Sequence, residues 1–256
     1  MKQLIVLQAR TGSTRLPNKM LMPFYDGECI LSILLGRLQK DIPDAKEVIV
    51  VATTTAKGDD AIVECCNNMG INTFRGSEQD VLNRFIMTAR HFNAQKLIRV
   101  CADNVFIDTR NIKKLYDQFI TSDYDYQSFC TSDGTPSIKT HYGFWAEAVT
   151  AEALETVSRS TDEPLYHEHV TNFIYSGIKD FKIRLTPIEE TINGIESHKN
   201  LRLTVDTPAD FKVQQEIYAD LVNNGREITP QNIINYLESR PDLYEIMART
   251  ISENSK

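Results

Sequence analysis

Apolar positions in the first half of the chain fall into two alternating patterns. Short, nearly continuous apolar runs are typical of strands that are covered on both faces. Between these runs, apolar residues recur three and four positions apart, which predicts amphipathic helices. The predicted strands occupy residues 3–9, 47–54, 71–74 and 96–102, and the predicted helices occupy residues 30–39, 59–70, 77–92 and 110–120. This alternation predicts an α/β fold, Rossmann-like and three-layered, with a mixed but mostly parallel sheet and helices on both faces.

Beyond residue 122 the alternation is less regular. Two strands, which we expect to be antiparallel, are predicted at 123–131 and 136–150. Thr207 predicts the N-cap of a helix over 207–224, with Pro208 in its first turn and Asp210 three residues beyond the cap. The other predicted elements are helices 152–160, 163–177 and 230–241, the last followed by a polar tail, and strands 181–188 and 200–206.

The composition of the chain argues against several classes of protein. The net charge of −7 over 256 residues argues against a nucleic-acid or membrane-surface binder, because both need a broad basic field. No apolar run is long enough to span a bilayer, and the N-terminus lacks the features of a signal peptide. Five cysteines without C-x-x-C spacing predict free, buried thiols in a reducing compartment, so we expect a cytoplasmic protein.

The segment QARTGSTRLPNKML, residues 8–21, places three cations directly after the first predicted strand. In open α/β sheets, ligands bind beyond the carboxyl ends of the strands. Gly12, Ser13 and Thr14 are small enough for backbone N–H groups to approach an anion. Arg10, Arg15 and Lys19 would neutralise its charge, and a triphosphate suits three cations. The spacing matches neither the Walker A nor the dinucleotide glycine pattern, and a solvated basic turn is the alternative.

Two aspartates, Asp103 and Asp206, follow the predicted strands 96–102 and 200–206. If both strands run parallel within the sheet, both carboxylates emerge at the edge that carries the basic loop. Carboxylates that face a triphosphate need a cation between them, and Mg²⁺ prefers such hard oxygen ligands. Taken singly, Asp103 could be a turn residue and Asp206 a residue that precedes a helix cap. Neither aspartate predicts a magnesium site by itself, but the two together do.

These motifs resemble the cytidylyltransferases of the spore-coat polysaccharide biosynthesis F type. More distantly, they resemble the synthetases of CMP-3-deoxy-octulosonate and CMP-sialic acid. The middle of the chain, HYGFWAE at 141–147, is similar to the H-x-G-x-Y segment of the octulosonate synthetases rather than to the usual G-L-D-V-E. The similar segments are QARTGSTRLPNKML, RGSEQDVLNRF (75–85), RVCADNVFID (99–108), HEHVTNFIY (167–175) and LRLTVDTPADF (201–211).

The resemblance implies a nucleotide-diphospho-sugar transferase fold, CTP as donor, Mg²⁺ as cofactor and a homodimer. Because no linker composition divides the chain, we expect a single nucleotidyltransferase domain over residues 1–225, with a substrate- and dimer-side lobe at 122–190, and a C-terminal helical extension over 226–256. The resemblance also implies catalytic contacts to the triphosphate from Arg10, Arg15 and Lys19, and Mg²⁺ ligands in Asp103 and Asp206. The other implied nucleotide-binding residues are Leu7, Ala9, Gly12, Ser13, Thr14, Arg75, Gly76, Ser77, Asp80 and Ala102.

The predicted reaction is the transfer of CMP from CTP to a hydroxyl of a sugar or sugar acid, with release of pyrophosphate. His141 and Glu168 are candidate acceptor-binding residues, although a packed histidine and a helix-surface glutamate are equally consistent with the pattern. Asp80 is expected to cap a helix first and to contact nucleotide second. The alternatives are a sugar-1-phosphate nucleotidyltransferase that uses another nucleoside triphosphate, and a non-catalytic nucleotide-binding protein.

Overall fold

The computed structural model describes residues 1–254, which form a seven-stranded sheet and a separate two-stranded ribbon. The strands are β1 (Gln3–Gln8), β2 (Pro23–Tyr25), β3 (Glu28–Cys29), β4 (Ile49–Thr54), β5 (Asn72–Gly76), β6 (Lys96–Cys101), β7 (Tyr126–Cys130), β8 (Glu147–Thr150) and β9 (Ile183–Pro187). The α-helices are α1 (Ile30–Asp41), α2 (Ala45–Val48), α3 (Asp60–Asn68), α4 (Val81–His91), α5 (Thr109–Phe119), α6 (Ala151–Ser160), α7 (Pro164–Glu168), α8 (Asn172–Tyr175), α9 (Pro208–Asn223), α10 (Pro230–Glu238) and α11 (Pro241–Asn254).

The large sheet has the strand order β5-β4-β1-β6-β8-β7-β9. Strands β5, β4, β1 and β6 are parallel, β8 runs antiparallel to both β6 and β7, and β9 is parallel to β7. The predicted mixed, mostly parallel sheet is therefore confirmed, as is the antiparallel pairing in the second half. Gln8 lies opposite Cys101 where β1 and β6 end. The loops that follow these two strands consequently start side by side.

Both faces of the sheet are covered, which explains the continuous apolar runs. In β1, Ile5 and Leu7 belong to a core that includes residues of α1, α5, α9, α10 and α11, whereas Leu4 and Val6 belong to a core that includes α4 and α6. All four side chains are fully buried. The five cysteines are free, but only Cys66 is buried, so the prediction of buried thiols holds for one of them. No helix within residues 1–254 is long and apolar enough to cross a membrane.

The predicted cap holds for α9, and Asp80 caps α4 as expected, although α4 begins later than predicted. Thr207 Oγ1 accepts the N–H of Asp210 at 3.2 Å, and Asp210 Oδ2 accepts the N–H of Thr207 at 2.8 Å, which completes a capping box. At α4 the N-cap is Asp80, whose Oδ1 accepts the Asn83 N–H at 2.8 Å. Ser77 lies before the helix, where its Oγ accepts the Asp80 N–H at 3.0 Å and its carbonyl accepts Arg84 Nη1. The prediction of a helix that begins at Ser77 was therefore wrong.

Residues 201–206 form no regular secondary structure and do not join the sheet, so the predicted strand was wrong. Leu203 N–H donates to the carbonyl of His141 at 2.8 Å, and Val205 N–H donates to the carbonyl of Asp103 at 3.1 Å. These hydrogen bonds fasten the segment to the loops after β6 and before β8. The segment still brings Asp206 to the carboxyl edge of the sheet, although by a route that differs from the predicted one.

Three other predicted elements differ in extent. The predicted strand 136–150 is regular only over β8, and the predicted helix 163–177 is divided into α7 and α8 by His169, whose ψ of 71° is not helical. The predicted polar tail is largely the helix α11, which buries Leu243 and Met247 against the same core as α9. The sequence signal for this helix was a proline followed by apolar residues spaced four positions apart. The predicted division of the chain at residue 225 stays a prediction.

Gly143 offers a test of how the 201–206 segment is held. Its φ is +72°, and an added Cβ would lie 2.8 Å from the carbonyl oxygen of Leu203. We expect Gly143→Ala to lower the free energy of unfolding by about 2–4 kcal/mol, because left-handed strain and a backbone clash add. Denaturant unfolding measures this loss.

Gly134 is the matched control, since its φ is +84° but no atom lies within 4 Å of an added Cβ. Gly134→Ala should show the strain alone, about 1 kcal/mol. Equal losses in the two variants would contradict the close packing of Gly143 on Leu203.

Candidate active site

The basic loop after β1 is anchored at its start by Asp59. Thr11 donates both its N–H and its hydroxyl to Asp59 Oδ1, each at 2.7 Å. Asp59 Oδ2 accepts the hydroxyl of Thr53 at 2.9 Å and the N–H of Thr54 at 3.0 Å. Burial opposes ionisation of this 1%-exposed carboxyl, but the hydrogen bonds from Thr54, Thr11 and Thr53 lower its pKa. Sequence reasoning missed Asp59, because nothing local distinguishes it from its neighbour Asp60.

Lys19 ends the loop and points into the protein. Asn18 adopts a φ of 59°, a left-handed conformation that asparagine tolerates and that turns the chain before Lys19. Lys19 is 7% exposed, and its Nζ donates to Asp103 Oδ2 at 2.8 Å and to the Val205 carbonyl at 2.5 Å. Asp206 Oδ1 lies 3.6 Å from the same nitrogen. One ammonium group therefore brings the two predicted aspartates together.

Arg15 reaches the same carboxylate from the solvent side. Its Nη2 lies 3.1 Å from Asp206 Oδ1, and its Nη1 donates to Asn254 Oδ1 at 3.3 Å. Asn254 is the last residue of α11, so the C-terminal helix contacts the candidate site. No sequence pattern indicates this contact, since it depends on how α11 packs against α9.

Arg202 is a further member of the site that sequence reasoning missed. Its side chain is 1% exposed and contacts three side chains: Nη2 lies 3.1 Å from Asp206 Oδ2, Nε lies 2.7 Å from Asp210 Oδ1, and Nη1 lies 2.8 Å from His141 Nδ1. Burial and the adjacent Arg202 cation lower the pKa of His141. An arginine within the apolar run LRLTV was the available signal, because a buried cation needs an acidic partner.

These groups face one cavity of about 1000 Å³ at the carboxyl edge of the sheet. That size is sufficient for a nucleotide and a second small molecule. The predicted residues that line the cavity are Ala9, Arg10, Ser13, Thr14, Arg15, Lys19, Asp103, His141, Glu168 and Asp206. The lining residues that were not predicted are Gln8, Met20, Cys101, Lys139, His169, Arg202, Glu253 and Asn254.

Residues 4–240 match the cytidylyltransferase family. The chain belongs to this family. It is therefore a nucleotidyltransferase, as the sequence predicted.

Two relatives and two solved structures extend the comparison. The Uncharacterized protein MJ1063 of Methanocaldococcus jannaschii is 37% identical over 96% of this chain and 94% of its own length. The spore coat polysaccharide biosynthesis protein SpsF of Bacillus subtilis is 30% identical over 93% of this chain and 95% of its own length. A cytidylyltransferase structure from Leptospira borgpetersenii superposes with a TM-score of 0.80 at 26% identity, over 95% of this chain and 97% of that one. The structure of CMP:2-keto-3-deoxy-manno-octonic acid synthetase complexed with CTP shares the fold. It superposes with a TM-score of 0.59 at 15% identity, over 86% of this chain and 99% of that one.

The remaining residues predicted from the sequence lie outside the cavity wall of this cytidylyltransferase. Arg75 donates to the carbonyls of Thr54 and Ala56, each at 2.8 Å, and pairs with Asp60 at 2.6 Å. Leu7 and Ala102 are fully buried. Their contacts with nucleotide stay predictions, as do those of Gly12, Gly76, Ser77 and Asp80.

Asp103 and Asp206 have the chemistry that a divalent cation needs. Their side chains are 31% and 27% exposed, and both face the cavity. Lys19 and Arg15 already neutralise these carboxylates, so an added triphosphate would leave an excess of negative charge. A divalent cation that shares carboxylate and phosphate oxygens would offset this excess. The residues present therefore fit a magnesium site.

His167, the first residue of the motif HEHVTNFIY, ties α7 to the N-terminus of α4. Its Nδ1 lies 3.0 Å from Asp80 Oδ2, and its Nε2 lies 3.0 Å from the Thr161 carbonyl. Both partners accept hydrogen bonds, so both bonds form together only when the imidazole is protonated. Partial burial disfavours the charge, but the Thr161 carbonyl and Asp80 raise the pKa of His167 overall, and Asp162 adds to this effect.

This bridge predicts a pH dependence of stability. An unfolded histidine titrates near a pKa of about 6.5, and the folded pKa of His167 is higher. Its contribution is therefore fully present below the unfolded pKa and is lost as the pH rises through the folded pKa. We expect His167→Gln to remove up to about 1 kcal/mol at low pH and little at high pH. Unfolding of both proteins between pH 5.5 and pH 9 measures the difference.

His91→Gln is the control, because the His91 ring packs against Phe74 and Phe92. This variant removes an imidazole ring without removing the bridge from His167 to Asp80 and Thr161, so it measures the loss of ring packing alone. A His167→Gln protein with the same pH dependence as wild type would show that the bridge is not charged.

Proposed function

We propose that this chain transfers CMP from CTP to a hydroxyl group of a sugar or sugar acid, with release of pyrophosphate, in the biosynthesis of a surface polysaccharide. One observation carries the proposal: Lys19 joins Asp103 and Asp206 in a cavity that the basic loop also lines. Membership of the cytidylyltransferase family supports CTP as donor. The printed name of the Bacillus subtilis relative supports the polysaccharide context.

The cationic side chains of the loop would bind the triphosphate. Arg10, Arg15 and Lys19 all line the cavity, and Lys19 is held there by Asp103. As the acceptor hydroxyl loses its proton to solvent, its oxygen bonds to the α-phosphorus and the bond to pyrophosphate breaks, so negative charge grows on the phosphate oxygens. Cations that are already in place stabilise this charge without rearrangement. No protein nucleophile is needed, because position and electrostatics carry such a transfer.

Asp103 and Asp206 would hold Mg²⁺. When bound, this ion would neutralise phosphate oxygens and help to orient the triphosphate. The two carboxylates belong to different parts of the chain, one after β6 and the other before α9. Lys19 holds them together before any ligand arrives.

The acceptor would occupy the side of the cavity that His141 and Glu168 line. Arg202 donates to His141 Nδ1, so the neutral imidazole carries its proton on Nε2 and can donate to an acceptor oxygen. Glu168 can accept a hydrogen bond from a hydroxyl group. A polyhydroxylated acceptor satisfies both residues.

The test is pyrophosphate release from CTP and Mg²⁺ with a panel of sugars and sugar acids. We expect turnover with CTP but not with UTP or dTTP, and at least a 100-fold loss of kcat in Asp103→Asn, since a metal ligand and a Lys19 partner are lost together. Asp117→Asn is the control, because Asp117 is an exposed partner of Lys113 on α5. It should retain wild-type activity.

Turnover with UTP or dTTP and not with CTP would favour the alternative sugar-1-phosphate nucleotidyltransferase. CTP binding without pyrophosphate release from any acceptor would favour a non-catalytic nucleotide-binding protein. Full activity of Asp103→Asn would contradict the metal site.

A further inference from the structure

Arg202 is held in the wall of the cavity by a carboxylate that lies outside it. Asp210 Oδ1 accepts Nε at 2.7 Å, and Asp210 Oδ2 accepts Nη2 at 3.1 Å, so the pair is bidentate. Asp210 also accepts the N–H groups of Asp206 and Thr207, at 3.0 and 2.8 Å. The guanidinium is therefore fixed to the N-terminus of α9, and its remaining N–H groups have defined directions.

We propose that Arg202 is a positioning residue for the proposed cytidylyl transfer: it orients Asp206 toward the metal and phosphate side of the cavity and His141 toward the acceptor side. The inference rests on the proposed function. One buried side chain would then align the metal and phosphate side of the cavity with the acceptor side.

The first part of the inference follows from the separate partners of the two Asp206 oxygens. Oδ2 lies 3.1 Å from Arg202 Nη2, whereas Oδ1 faces Arg15 at 3.1 Å and Lys19 at 3.6 Å. A carboxylate that is bound at one oxygen cannot rotate freely, so its other oxygen keeps a constant direction. Groups that orient metal ligands in this way commonly change metal affinity or activity by about 10–100-fold when they are removed.

The second part follows from the donor-only chemistry of guanidinium. Arg202 Nη1 lies 2.8 Å from His141 Nδ1, and arginine has no acceptor atom. His141 Nδ1 must therefore be unprotonated, which places the proton of the neutral ring on Nε2. Because Arg202 fixes both the tautomer and the ring orientation, His141 is a donor at the cavity rather than a base.

A purely structural role is the competing explanation, since a buried ion pair also supports α9. The two explanations differ in what Arg202→Lys should change. Lysine keeps a cation beside Asp210 but cannot contact Asp206 and His141 at the same time. Arg37→Lys is the matched control, because Arg37 donates to the main-chain carbonyls of Ile107 and Ile228, at 3.0 and 3.3 Å, and lies outside the cavity wall.

The experiment measures CTP binding by calorimetry with and without Mg²⁺, and the His141 tautomer by ¹⁵N NMR of the imidazole. In wild type we expect Mg²⁺ to tighten CTP binding and His141 to be the Nε2–H tautomer. In Arg202→Lys the affinity gained from Mg²⁺ should fall by about 10–100-fold, and the Nδ1–H form should appear. Arg37→Lys should match wild type in both measurements, whatever its melting temperature.

A second variant covers the case in which Arg202→Lys does not fold. Arg202→Gln/Asp210→Asn replaces the ion pair with two amides and leaves no unpaired buried charge. It should show the same two changes. If the folded variants retain both the Mg²⁺-dependent affinity and the Nε2–H tautomer, the positioning role is overturned.

The outcome for wild type separates this inference from the proposed function. If wild type does not bind CTP, the proposed function fails, and with it the positioning role in cytidylyl transfer. If wild type binds CTP with Mg²⁺ and the variants do the same with an unchanged His141, only the inference about Arg202 fails.

Discussion

The candidate site depends on one buried ammonium group. Lys19 Nζ is held by Asp103, Asp206 and the carbonyl of Val205, which come from two separate segments of the chain, one after β6 and the other before α9. A buried cation of this kind is stable only with acidic partners, and two carboxylates so close together are stable only with a cation between them. Each group therefore requires the others. The basic loop and the segment before α9 cannot shift independently, because both end at this interaction.

The sheet makes this interaction possible by its register. Gln8 and Cys101 are paired at the ends of β1 and β6, so the loops that carry Lys19 and Asp103 leave the sheet side by side. Apolar runs that are buried on both faces fix this register, because a shift of one residue would exchange the two cores. The buried Asp59 then fixes Thr11, and with it the start of the basic loop. The packing of the sheet therefore determines where the charged groups of these loops lie.

The sequence was sufficient to predict those features that local patterns of residues determine. Alternating apolar runs predicted the parallel sheet, and cations after a strand predicted the basic loop. Asp103 and Asp206 were predicted as site residues because each follows an apolar segment. The sequence was insufficient where a residue acts through a distant partner. Arg202 meets His141 and Asp59 meets Thr11 only in the folded chain, and the segment before Asp206 satisfies its hydrogen bonds with loops instead of the sheet. Periodicity describes which face of an element is buried, but it does not describe which neighbour buries it.

The pairing of cations and carboxylates in the cavity has a chemical consequence. Asp206 is shared among Lys19, Arg15 and Arg202, and Asp103 is held by Lys19. A triphosphate that binds Arg15 and Lys19 must compete with these carboxylates for the same donors. A divalent cation that binds the carboxylates would release the donors toward the phosphates, so metal and nucleotide would each favour binding of the other. Arg202 alone would keep its partners throughout, because Asp210 holds it from outside the cavity. Asp206 would then stay oriented by Arg202 while it helps to hold the metal ion.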